Sequence, residues 1–153
     1  MSAKHTRMKQ FILFSLLMGC TFQAICQDEF LGPSKDLVSN YYIMSITRKR
    51  GGISEVFERV RPADGKLPLF RKQINEDRAR LKLDTTGFEK VGYYRRRIQY
   101  DCTRKAYRVR EATYYDLYGH EISTNDPDDE NAKWWAIPAA TMREVEFKKA
   151  CNK

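Results

Sequence analysis

Alternation of apolar and polar positions is sharpest over residues 93–102. In an extended strand, Tyr94, Arg96, Ile98, Tyr100 and Cys102 fall on one face, and Tyr93, Arg95, Arg97, Gln99 and Asp101 on the other. The Cys102 face reads as the inward one. Arg96 lies on it and therefore needs a carboxylate partner or a place at the rim. The other face is polar, basic and wet.

Other elements follow from the same patterning. Residues 40–48 and 53–61 are rich in aromatic and β-branched side chains and flank Lys49-Arg50-Gly51-Gly52, which predicts a hairpin. Pro62-Ala63-Asp64-Gly65 closes it with turn residues. Phe70, Ile74, Asp77 and Leu81 recur at helical spacing, so residues 69–83 predict an amphipathic helix with Pro68 in its first turn. Residues 106–117 form the next strand, with Tyr107, Val109, Thr113 and Tyr115 on one face. Short strands at 121–123 and 133–137 flank an acidic loop, and Pro138 ends the last of them. Thr141 and Glu144 have capping-box spacing, which starts a final helix whose Phe147 and Cys151 share a face.

The first 26 residues stand apart. Lys4, Arg7 and Lys9 precede the apolar run 11–19, which has the length of a signal-peptide core and is too short to span a bilayer. Two processing schemes are open: release after Ala24-Ile25-Cys26, or a lipobox-like Leu17-Met18-Gly19-Cys20 with lipid on Cys20. Only the second brings membrane attachment. The organisation is thus a signal peptide (1–26), a flexible segment (27–36) and one domain (37–153). Formal charge is +8 for the whole chain of 153 residues. The leader contributes three of those charges, and the moderate excess that remains permits acidic partners without demanding nucleic acid.

Without the leader, two cysteines remain, Cys102 and Cys151. Export implies an oxidising compartment, where such a pair is bridged. Closing a loop of about 50 residues is worth roughly 4 kcal/mol in the chain-entropy picture. The fold class is α+β: an antiparallel sheet of about five or six strands with a C-terminal helix disulfide-tethered to one face.

Candidate chemistry is sparse. His120 is the sole histidine beyond the leader, sits in a Gly-flanked turn and has no nucleophile motif near it, so a hydrolase would have to be built on it alone. The acidic loop Asp126-Pro127-Asp128-Asp129-Glu130 lacks calcium-loop spacing, and no metal or cofactor is expected. The remaining constellation is a basic, aromatic stripe on two strands expected to pair: Arg95, Arg97, Arg104, Lys105, Arg108 and Arg110, with Tyr93 and Tyr107 interleaved. Guanidiniums beside rings suit phosphate, sulfate or carboxylate groups. A solubilising sheet face with cross-strand pairs accounts for them too.

A strand ending Tyr100-Asp101-Cys102, then an arginine-bearing strand, Tyr115-Asp116 before Gly119, Trp135-Ala136-Ile137-Pro138, a Thr-capped helix and Cys151 resemble the surface-adhesin protein E family of exported bacterial proteins. The resemblance covers residues 37–151, most specifically 93–151. It implies a helix tethered to the concave face of the sheet, placement in the periplasm, at the outer-membrane surface or outside the cell, and a non-catalytic role. The implied partner is a macromolecule, a host matrix protein or an envelope component; a dimer is compatible with it. A structural or assembly accessory of the envelope is the alternative.

Overall fold

The computed structural model describes residues 28–125 and 133–152. The expected leader with Cys20, and the acidic residues 126–130, lie outside the described residues. Strands β1 (Glu29–Pro33), β2 (Ser39–Arg48) and β3 (Ile53–Pro62) precede helix α1 (Leu67–Arg80). Strands β4 (Val91–Asp101), β5 (Ala106–Asp116), β6 (Glu121–Asn125) and β7 (Trp135–Ala136) follow, then helix α2 (Met142–Cys151). All pairings are antiparallel. The order β1-β2-β3-β4-β5-β6 is that of the chain, and β7 adds to β5. This is a meander, with sequential neighbours paired throughout. Segment 27–36, expected to be flexible, contributes β1, because Phe30, Gly32 and Pro33 find partners along β2.

Both helices pack on the same side of the sheet. Under α1 lie Val38, Val60, Phe88 and Val91 with Phe70 and Ile74. Under α2 lie Ile43, Val56, Ile98 and Tyr100 with Ala150. Each fully buried aliphatic or aromatic side chain here contributes about 1.5–3 kcal/mol, so the two clusters fix which sheet face is inward. The alternation expected of the central strand holds: Tyr94, Ile98 and Tyr100 all reach this core.

Bulges explain where simple alternation misleads. Arg97 pairs with Glu111 but Ile98 pairs with Val109, so Arg110 is an extra residue in β5. The pleat resets there: Tyr107 and Val109 face inward, whereas Thr113 and Tyr115 face outward opposite Arg95 and Tyr93. The four do not share a face as expected. A second bulge brackets Gly92, where β4 starts. A Cβ at Gly92 would lie 2.7 Å from the Leu117 backbone nitrogen, so only glycine permits this approach.

Helix α1 also departs from its predicted face. Phe70, Ile74 and Arg78, spaced by four, are the buried residues. Leu81 lies past the helix and is 62% exposed. Arg78 can take the third inward position because its guanidinium lies 3.7 Å from the Phe88 ring centroid and its Nε donates to the Asp84 carbonyl at 2.7 Å. The last strand is shorter than expected, two residues only.

The terminal helix is capped as the spacing predicts. Thr141 Oγ1 accepts from the Glu144 amide at 3.4 Å, and the Glu144 carboxylate accepts from the Ala140 amide at 2.7 Å. At the other end Cys151 is bridged to Cys102, with Cα atoms 5.4 Å apart across 49 residues of sequence. Ser54 Oγ adds a hydrogen bond of 2.9 Å to the Ala150 carbonyl. The helix is therefore fastened at its last turn covalently and through a buried hydroxyl.

Candidate functional site

The outward face of β3, β4 and β5 is laid out by the register. Arg61 lies beside Tyr93, one pair beyond the last bridge; Arg59 is opposite Arg95, Phe57 opposite Arg97, and Glu55 opposite Gln99. On the other side of β4, Tyr93 faces Tyr115, Arg95 faces Thr113, Arg97 faces Glu111 and Gln99 faces Arg108. Outward residues recur every second position, so four successive positions carry Arg61, the pair Arg59 and Arg95, then Arg97, then Arg108.

Aromatic rings lie beside these guanidiniums. Tyr93 and Tyr115 stack with centroids 4.9 Å apart and planes 12° from parallel. Arg95 lies 5.0 Å from the Tyr115 centroid and 5.7 Å from that of Tyr93, while Arg59 and Arg61 each lie 5.8 Å from Tyr93. Arg108 lies 4.6 Å from the Trp134 ring, and its guanidinium donates to Gln99 Oε1 at 3.0 and 2.8 Å. Arg61 is the exposed member of the group, while Arg59 and Arg108 already direct donors at Asp28 and Gln99.

Their charges are only partly neutralised. Arg59 pairs with Asp28 at 2.5 Å, and Arg97 Nε lies 3.6 Å from Glu111, longer than a hydrogen bond. The Nε groups of Arg59, Arg95 and Arg97 are buried with no hydrogen-bond partner. Burial holds the Arg59 pKa down; Asp28 opposes this, and the charges of Arg61 and Arg95 reinforce it. Burial does the same to Arg108, aided by Arg110 and Arg104.

The candidate stripe is thus assembled in part. Tyr93, Arg95, Arg97 and Arg108 share the outer face. Arg104 is in the β4–β5 turn, paired with Asp101 at 2.5 Å and 5.3 Å from the Trp134 ring. Lys105 is exposed in the same turn, and Arg110 is the buried bulge residue. Tyr107 does not belong to the stripe. It faces inward beside Tyr100, with Arg143 5.2 Å from its ring, because the bulge resets alternation after Val109. Sequence reasoning missed Arg59, Arg61 and Tyr115. The signal for the first two was available in the alternation of β3, which places both on the strand face opposite Val60.

A second charged group lies between sheet and α2. Arg96 pairs with Glu58, fulfilling its need for a carboxylate. Arg143 reaches Glu58 at 3.4 Å, Tyr100 Oη at 3.0 Å and also Glu146, whose Oε2 accepts from Tyr100 as well. Glu58 and Glu146 are each 1% exposed. Burial pushes the Glu146 carboxyl up to about 8, and neighbouring Glu58 adds to the effect against Arg143 and Tyr100. Burial also raises Glu58, but Arg143 and Arg96 outweigh it and the net shift is downward. A proton held on Glu146 relieves the repulsion of two buried carboxylates. These groups fasten α2 to the sheet.

His120 is exposed in the β5–β6 turn, with Nδ1 2.9 Å from Asp116 Oδ2. The same carboxylate accepts from the Tyr118 and His120 amides at 2.8 and 2.9 Å, so it organises the turn. Among the described residues, no three His, Cys, Asp or Glu side chains are placed to hold a metal ion, and no helix is long and apolar enough to cross a membrane.

Fold and face together define a class: a small disulfide-closed α+β domain with one sheet face covered by helices and the other presenting arginines and rings. The chain belongs to the surface-adhesin protein E family, whose sequence pattern matches residues 71–152, just over half its length. Among solved structures it is similar to protein E of Haemophilus influenzae, in its selenomethionine form. The identity is 12%, 80% of this chain and 84% of that one are covered, and the TM-score is 0.48. No curated protein matches the chain.

Proposed function

We propose that this is an exported, non-catalytic, adhesin-like protein that binds a macromolecular partner through the outer face of its sheet. The partner is a host matrix protein or an envelope component. One observation carries the reading: β3 and β4 have their inner face covered by two helices, while the outer face of β3, β4 and β5 gathers Arg59, Arg61, Arg95, Arg97 and Arg108. A purely solubilising face has no need to set like charges directly opposite each other, as Arg59 and Arg95 are, since that costs stability. Family membership supports export; with the leader expected at residues 1–26, lipid on Cys20 would hold the protein at the cell surface, whereas cleavage after Cys26 would leave it unanchored.

The test is adherence to host matrix by a deletion strain, complemented with the native gene or with Arg95→Gln/Arg97→Gln. Native complementation should restore binding and the double variant should not, at equal surface amounts measured by protease shaving. Normal adherence of the deletion strain, with the protein inaccessible to protease and cross-linked into a resident envelope complex, would support the assembly role instead.

A further inference from the structure

We infer that the ligand chemistry of the outer face is that of a sulfated polysaccharide, gripped along the line Arg61, Arg59 with Arg95, Arg97 and Arg108. The inference rests on the binding reading above and specifies which part of a matrix partner is bound, its sulfated glycan chains. Successive outward positions are about 7 Å apart, so the line runs about 20 Å diagonally across three strands. It crosses the register from Arg61 near Tyr93 to Arg108 opposite Gln99. The acidic groups of this face are Asp28 on Arg59, Glu111 near Arg97, Asp101 paired with Arg104, Glu121 opposite Tyr115, and Glu55, which is held by Lys49 at 2.8 Å and by Gln99 at 2.9 Å. Arg61, Arg59 and Arg95 face only Asp28, whereas Arg97 and Arg108 lie level with Glu111 and Glu55, so the excess of positive charge is concentrated at the Arg61 end of the line. Tetrahedral oxyanions match the fork of a guanidinium.

Three classes of polyanion could answer that charge, and the geometry separates them. An acidic peptide brings main-chain N–H and C=O groups that need partners. The ladders on both sides of β4 use those of the sheet, so strand addition is closed at this face. Single-stranded nucleic acid needs open ring faces for its bases. Here Tyr93 and Tyr115 cover each other, Arg95 covers both, and Trp134 is covered by Arg104 and Arg108. A sulfated polysaccharide needs neither: its pendant anions meet guanidinium edges and its ring oxygens stay in water. The rings then serve as platforms that orient the arginines.

The purified protein should be retained on immobilised heparin and elute with salt, the mark of ion release. Arg95→Gln/Arg97→Gln should weaken binding about tenfold or more, as loss of charge-assisted hydrogen bonds does. Lys66→Gln/Lys72→Gln, an equal charge change on exposed residues around α1, should leave it unchanged. Unaltered circular dichroism melting shows that the variants fold. Equal loss in both variants, or equal affinity for polyglutamate or single-stranded DNA, would overturn the assignment. If heparin fails to bind while adherence of cells still depends on Arg95 and Arg97, the polysaccharide inference falls and the binding reading stands. If adherence is indifferent to them too, both fall.

Discussion

Glu146→Gln should change how stability depends on pH. Glu146 is 1% exposed, and its Oε1 has no donor while its Oε2 accepts from Tyr100 and Arg143. The groups facing it are Glu58 from β3, Tyr100 from β4 and Arg143 from its own helix, with Arg96 pairing the far side of Glu58. Its carboxyl is raised from the ordinary 4.5 to about 8. Between those values the folded chain keeps a proton that the unfolded chain releases. The resulting stabilisation is complete below the unfolded pKa and is lost as pH rises through the folded one. Each pH unit inside the window removes up to about 1.4 kcal/mol from this source, so the decline amounts to a few kcal/mol. The shifted carboxyls of Glu58, Glu55 and Asp101 are lowered, so their stabilisation is lost only toward acid, outside the window. Glutamine reproduces the protonated shape, and its amide can donate toward Glu58. Urea unfolding in a His120→Gln background, at constant ionic strength from about pH 5 to about pH 8, should show wild type losing stability and Glu146→Gln nearly flat. At the alkaline end the variant should equal or exceed wild type. A wild-type profile that is flat or rising, or a variant several kcal/mol weaker at every pH, would refute the shared-proton arrangement.

Three further outcomes follow from the packing. Cys151→Ser should lower unfolding stability by up to about 4 kcal/mol, and reductant should bring wild type to the same level in denaturant titrations. Gly92→Ala should lower the melting temperature markedly, by about 2 kcal/mol or more, because its methyl meets Leu117 and Asp116 backbone at 2.7–2.8 Å; an unchanged value would mean that the β4 start can shift. Thr141→Ala should cost about 1 kcal/mol through loss of the cap, with helix signal reduced in proportion.

What could be read from the sequence was what a period reveals. The hairpin at Gly51-Gly52, the Cys102 face, the Thr141 cap and the bridge each rest on local spacing or on the cysteine count. Bulges carry no such signature, so the side on which Tyr107 lies depended on Arg110 being an extra residue in the register, and that is a property of β4 as much as of β5. Inward-pointing charge was equally opaque. Arg96 announced a need for a carboxylate, yet Glu58 is 38 residues away from it in sequence, and only pairing of β3 with β4 brings them together. Arg78 occupying a core position depends on the Phe88 ring below it, which no helical period records. The binding face was half legible for the same reason: alternation marked Arg95 and Arg97, whereas their neighbours Arg59 and Tyr115 come from pairing.

Arg59 directly opposite Arg95 bears on whether that face is structural or functional. Like charges across a ladder are destabilising, by about 0.2–1 kcal/mol. Arg95→Glu replaces the repulsion with an attractive cross-strand pair and gives up stacking on Tyr93 and Tyr115, worth about 1–2 kcal/mol at a half-buried site. The opposing contributions nearly cancel, so unfolding stability should stay within about 1 kcal/mol of wild type. Binding should not survive, because a carboxylate at the centre of the line repels the same anions that the arginines attract. Calorimetric melting beside heparin affinity separates the two. Intact folding with lost binding assigns the arginine row to recognition. A drop of several kcal/mol would instead make Arg95 part of the structural framework and remove the reason for placing a ligand on this face.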